Sequence, residues 1–181
     1  TNLHQPLKSL LQNPPNSAYA PEAKELLARV SRRAETKPRV VGAVLPLSSK
    51  KYKAFADTVL RSLQLGFKGS DVELVVKDSA DDPALAAKLV EQLAFDDGAI
   101  AIIGPLLTDD SRRAALVAEE LQIPLITMSR AEGITDIGPH VFRTMVTNSQ
   151  QADALAEYSM TTLGYKTFAV LFPNTPFGTE F

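Results

Sequence analysis

Side-chain chemistry is densest at Thr108-Asp109-Asp110, a hydroxyl and two carboxylates that follow the apolar run AIAIIGPLL. A hydroxyl beside free backbone N–H groups at a helix start can hold an anion, so Thr108 is either a residue that binds a ligand carboxylate or a helix cap. The two acids oppose the first option, because carboxylates in a first turn neutralise the helix end that attracts anions. As a pair they have the types for acid–base catalysis or metal binding. Adjacent helical residues diverge by about 100°, however, and no third ligand is spaced to join them. They are therefore expected to be surface acids that favour the helix dipole. Ser48 and Ser49, after GAVLPL, are either ligand contacts or the end of a strand. The same stretch lacks the second glycine and the Gly-Lys-Ser/Thr ending of a phosphate-binding loop, and no Gly-x-Gly-x-x-Gly occurs, so no nucleotide or other cofactor is expected.

Other chemistries are excluded by what the 181 residues lack. There is no cysteine, and the two histidines are His4 and His140. Thiol nucleophiles, disulfides and His/Cys zinc sites are out, and without Gly-x-Ser-x-Gly a serine triad has no support. Nineteen basic against 21 acidic residues give a net charge of -2, which lacks the footprint of a general nucleic-acid or anionic-membrane binder. No run of 18 apolar residues is present, so no membrane-spanning helix is expected. An export signal or lipid-anchor cysteine would have to precede Thr1.

The elements that position these residues follow from periodicity. Residues 1–37 carry one amphipathic helix, with Ala23, Leu26, Leu27, Val30 and Ala34 on one face and Pro21 in its first turn. From Arg39 the pattern becomes short apolar runs, VVGAVLP, VELVVKD, AIAIIGP and PLITMS, separated by helical stripes. The stripes are Ala56, Val59, Leu60, Leu63; then Leu85, Ala86, Leu89, Val90, Leu93; then Ala114, Val117, Ala118, Leu121. Near-continuous apolar strands alternating with helices predict an α/β fold, a doubly wound parallel sheet. Asp82 is placed to cap the helix that begins at Pro83. VFRTMV is expected as a further short strand. Asn148 with Gln151 suggests a capping box opening a helix with a buried face of Ala152, Leu155, Ala156, Ser159 or Met160, and Leu163. Gly164 would end it, and TFAVLFP would be another buried strand. The chain stops where a loop should hand over to a helix, so it is expected to be part of a larger protein.

In parallel α/β sheets ligands bind beyond the carboxyl ends of the strands. That places the candidates at residues 46–51, 78–82, 104–110, 129–132 and 173–178.

Taken together, GAVLPLSS, AFADTVLRSLQL, KDSADDPALA, IIGPLLTDDS, IPLITMSRA, FRTMVTNSQQADALAEY and FAVLFPNTPFGTEF resemble the type I periplasmic ligand-binding fold of the Leu/Ile/Val-binding family. The segments match in order and spacing from about Arg39 onward. The PLL after Gly104, the LPL after the first strand and the preceding helix also resemble the lipoprotein activators of penicillin-binding proteins, which is taken as the closer branch. The resemblance implies two α/β lobes that close on a ligand, with residues 38–143 as lobe one and residues 144–181 as the hinge crossing and start of an incomplete lobe two. Residues 1–37 would be the end of a helical-repeat domain. It implies no catalysis, a small polar ligand such as an amino acid or peptide, and a membrane permease as partner. In the activator branch the partner would be a peptidoglycan synthase. The location implied is periplasmic, or that of an outer-membrane lipoprotein. By position, Thr108 matches the hydroxyl that binds a ligand carboxylate, and Ser129 and Ala131 match the pair after the fourth strand. Ala131 lacks the usual hydroxyl. Phe55 matches an aromatic at the cleft mouth and Phe177 one from lobe two.

Overall fold

A computed structural model describes Lys37 and residues 39–174; the helix expected in residues 1–37 and the position of Phe177 lie outside the described residues. Five strands are formed: β1 (Val40–Leu45), β2 (Glu73–Asp78), β3 (Ala101–Ile103), β4 (Leu125–Thr127) and β5 (Val141–Arg143). They make one sheet in the order β2-β1-β3-β4-β5. All four neighbouring pairs are parallel, as the unbroken apolar runs predict. Val41 pairs with both Leu74 and Ala101, and Ile102 with Leu125, so the strand ends fall along a common rim. β1 is buried along almost its whole length, whereas β2, at the edge and carrying Glu73, Lys77 and Asp78, is half-buried.

Helices α1 (Lys53–Gly66), α2 (Pro83–Phe95) and α3 (Thr108–Glu120) form the crossovers. From β1 the chain steps to β2 on one side, and from β2 it crosses back to β3 and on to β4 in the other direction. Right-handed crossovers in opposite directions put α1 on one face and α2 with α3 on the other. The core divides accordingly. The larger part joins Val40, Val44 and Ile102 of the sheet to Leu89, Val90 and Leu93 of α2 and Ala114, Ala115 and Ala118 of α3. The smaller joins Leu45, Ala56 and Leu106, with Val59, Leu60 and Leu63 packed against them. The three stripes expected from the sequence face the sheet. Leu93 lies directly over Gly42, where any side chain would meet it.

Helix starts follow local chemistry, with two departures from expectation. Asp82 Oδ1 accepts from the N–H groups of Ala84 (2.9 Å) and Leu85 (3.3 Å), as expected. The capping box near the C-terminal end belongs to Thr147 and Gln150, one residue earlier than Asn148 and Gln151, and opens α4 (Asn148–Glu157). Thr147 is the residue with extended backbone, and that geometry decides which side chain can turn back on the helix. The second departure, at Thr108, is described below.

In α4 and beyond it, the buried helix face and the buried strand expected from the sequence are not seen among the described residues. Only Asn148 of α4 is buried; Leu155, Met160 in the π-helical turn that follows (Tyr158–Thr162) and Leu163 just after that turn are exposed. Gly164 ends the helical segment with φ +70°, as expected. TFAVLFP forms no strand, and Leu171 is fully exposed. A parallel strand forms by pairing with a neighbour, and among the described residues this segment is paired with none.

Candidate functional site

The direction of the crossovers reverses between β1 and β3. In parallel α/β sheets a crevice opens at such a point, outside the carboxyl ends of the strands. A cavity of about 590 Å³ lies there. It is lined by Tyr52 and Phe55 from the start of α1, Asp81 and Pro83 from the turn after β2, Leu106 to Asp110 from the turn after β3 and the start of α3, Met128 and Arg130 after β4, and Met145 after β5.

Each wall has a local cause. After β3, Gly104 adopts φ +92°, and a Cβ there would collide with the Val44 carbonyl oxygen of β1. Glycine lets the chain turn tightly across the neighbouring strand. The turn is then fastened to β4. Thr127 Oγ1 and Ser111 Oγ are 2.8 Å apart, both lie within hydrogen-bond distance of the Pro105 carbonyl, and the Met128 N–H donates to the same carbonyl. Thr127 and Ser111 are fully buried, so this small network holds the two loops and the start of α3 as one body. After β2, Ala80 and Asp81 both have left-handed backbone, φ 52° and 64°. The Asp78 carboxylate accepts the Ala80 and Ser48 N–H groups and joins this turn to the one after β1. Burial pushes the Asp78 carboxyl up, but hydrogen bonding from the Ser48 side chain, and then from the Ala80, Ser48 and Leu47 backbone, outweighs it and holds the group below the ordinary range.

Thr108 is not a cap. The capping position is Leu107, which has no side chain for the purpose, and Thr108 is the first helical residue. Its exposed hydroxyl lines the cavity and has no hydrogen-bond partner among the described residues. Asp109 is an exposed first-turn acid, as expected. Asp110 departs from that expectation: it is 1% exposed, and its Oδ2 accepts from Ser79 Oγ at 3.1 Å. The sequence-based placement failed because Ser79 arrives from the β2 turn, 31 residues away. Burial raises the Asp110 carboxyl, the Ser79 hydrogen bond opposes that, and the charges of Asp81, Asp82 and Asp109 raise it further.

Of the remaining candidates, Phe55 lines the cavity and is half exposed. Ser49 is buried; its Oγ accepts the Tyr52 N–H and donates to Asp81 Oδ2, so it braces the wall from behind. Ser48 is exposed at the same turn. Ser129 and Ala131 are buried behind Met128 and Arg130, and their N–H groups are taken by Thr127 Oγ1 and Ser129 Oγ. Tyr52 and the two methionines were missed by sequence reasoning, whereas Asp81 and Arg130 fall within the windows 78–82 and 129–132 expected beyond the strand ends. Among the described residues, no three acidic or histidine side chains converge to hold a metal ion, and no helix is long and apolar enough to cross a membrane.

The periplasmic binding protein family model matches residues 40–181. The chain is 33% identical over 136 residues to the chemotactic signal-transduction substrate-binding protein BasB of Halobacterium salinarum, covering 66% of this chain and 33% of the relative. Its fold matches that of the leucine-binding protein LivK of Thermotoga maritima at TM-score 0.59 and 26% identity, over 69% of this chain and 37% of the other. A branched-chain amino-acid ABC transporter protein from Rhodospirillum rubrum matches at TM-score 0.70 and 20% identity, over 78% and 43%. The chain thus spans about a third of its curated relative and about two fifths of these solved structures. These relatives lend no support to the activator branch suggested by the PLL and LPL segments. A family match from the first strand onward and a parallel sheet of the same architecture agree: the chain belongs to the periplasmic binding protein family, in its type I, Leu/Ile/Val-binding form.

Proposed function

We propose that the protein is the substrate-binding component of a membrane transport or sensing system, which takes a small polar ligand into the cavity at the carboxyl rim without transforming it. The observation that carries this reading is the cavity itself. It sits at the topological switch point, is walled by four loops and three helix starts, and combines apolar and aromatic surface with a few polar groups. Proteins of this family act in the periplasm or outside the cell, and a permease or receptor in the membrane is the partner to which such a component hands its ligand. Attachment to the envelope by a lipid belongs to the same proposal.

Thr108 Oγ and Phe55 contact the ligand directly. Ser48, Ser49, Ser129 and Ala131 act through the loops they shape, and Phe177 is assigned a ligand contact on the family resemblance alone. A second wall closing over the first would bury the ligand and supply the differential affinity that drives closure.

A thermal-unfolding screen of the protein with amino acids, short peptides, amines and aromatic acids tests the proposal. A ligand that binds the folded state raises Tm as its concentration exceeds Kd. At least one compound is expected to do so, with the shift reduced in Thr108→Val. A flat response across the panel contradicts the proposal.

A further inference from the structure

The loop after β4 faces two ways. Met128 and Arg130 line the cavity, and two residues further on Glu132 reaches the start of α4. There its Oε1 accepts from Ser149 Oγ at 2.7 Å and from the Ser149 N–H at 3.4 Å. An acid 17 positions away in the chain thus sits where the first N–H groups of α4 lack helical partners. Hydrogen bonding from the Ser149 hydroxyl, ahead of the opposing desolvation, holds the Glu132 carboxyl below its ordinary range, and the Arg143 charge adds to it.

The main chain of the same loop is tied to the rest of the sheet and its helices. Arg112 of α3 donates from Nη2 to the Glu132 carbonyl at 2.9 Å, and Arg143 of β5 donates from Nη1 to the Ala131 carbonyl at 3.0 Å. The loop is therefore anchored on one side, and its Glu132 side chain is the arm that crosses to α4. That helix buries little that could fix its direction: Asn148 is its one buried residue, and Leu155 is exposed. An element with so few buried contacts opens at low cost, and polar contacts at its first turn carry much of its attachment.

Resting on the function proposed above, we infer that Glu132 is a positioning residue that makes the cavity loop and the start of α4 move as one body. A ligand group that shifts Met128 or Arg130 is then felt at Ser149, and the direction of α4 is felt in the cavity, because coupling between two places is reciprocal. Glu132 itself does not line the cavity; it acts through its loop and through Ser149.

Hydrogen exchange of the protein without added compounds tests the link, comparing the unsubstituted chain with Ser149→Ala, Glu132→Ala and Glu132→Gln. Both side chains are exposed and the Thr147–Gln150 capping box is retained, so the variants are expected to fold. Ser149→Ala is expected to speed exchange at residues 129–132, and Glu132→Ala at residues 148–152, each by roughly two- to tenfold, as the loss of one such hydrogen bond implies. Glu132→Gln keeps the accepting oxygen and should restore most of the protection. In urea unfolding the losses of the two alanine variants should not add in the double variant. Faster exchange confined to the substituted element would overturn the inference, as would fully additive losses or a Glu132→Gln variant that behaves like Glu132→Ala. These measurements contain no candidate ligand, so their outcome is independent of the thermal screen that decides the proposed function.

Discussion

Gly104 and Asp110 show how single residues shape the rim in opposite ways, one by having no side chain and the other by burying a charged one. Gly104→Ala places a methyl group against the Val44 carbonyl in a backbone region that alanine resists. The cost expected is about 1–3 kcal/mol or more, read as a lower urea midpoint at unchanged slope. Asp110 makes stability depend on pH. Its carboxyl is raised in the folded state, so the stabilisation from its proton is fully present below the ordinary carboxylate value and is lost as pH rises through the folded value. Urea unfolding between pH 4 and pH 7.5 should therefore show a component that falls with rising pH and that Asp110→Asn removes. A variant that keeps the same pH slope would show that the group is not strained. Neither residue's role was fully legible in the sequence. The glycine after an apolar run suggests a turn, but Val44 lies 60 positions earlier. Asp110 in a polar first turn suggests the surface, and only the tertiary approach of the β2 turn buries it.

At the scale of elements, the starts of α2, α3 and α4 were readable to within a residue because caps are local. Asp82 with Pro83 gave the start of α2, and Asp82→Ala is expected to lose about 1 kcal/mol, seen as a lower Tm at unchanged cooperativity. Thr147→Ala should act only on α4, raising amide exchange over residues 148–152 while leaving the central sheet protected. The same local signals misled at two places. Thr108 has the chemistry of a cap, yet the chain enters α3 one residue earlier, and this leaves its hydroxyl free to face the cavity. TFAVLFP has the composition of a buried strand, but composition cannot supply the neighbouring strand that burial requires.

For the whole molecule, the apolar runs announced parallel strands and therefore a common rim, which is how residues distant in sequence were assigned to one neighbourhood. They did not announce the strand order, and so could not place the crevice between β1 and β3. The cavity walls come from pairs brought together by topology, such as Ser79 with Asp110 and Pro105 with Thr127. The proposed function therefore rests on the alignment of the loops rather than on any one motif. Hydrogen exchange of the protein with and without a saturating amount of the compound that raises Tm most tests that alignment directly. Added protection is expected together in residues 46–55, 79–83, 104–111 and 128–131. Protection confined to the opposite rim, residues 96–100 and 119–124, would contradict it.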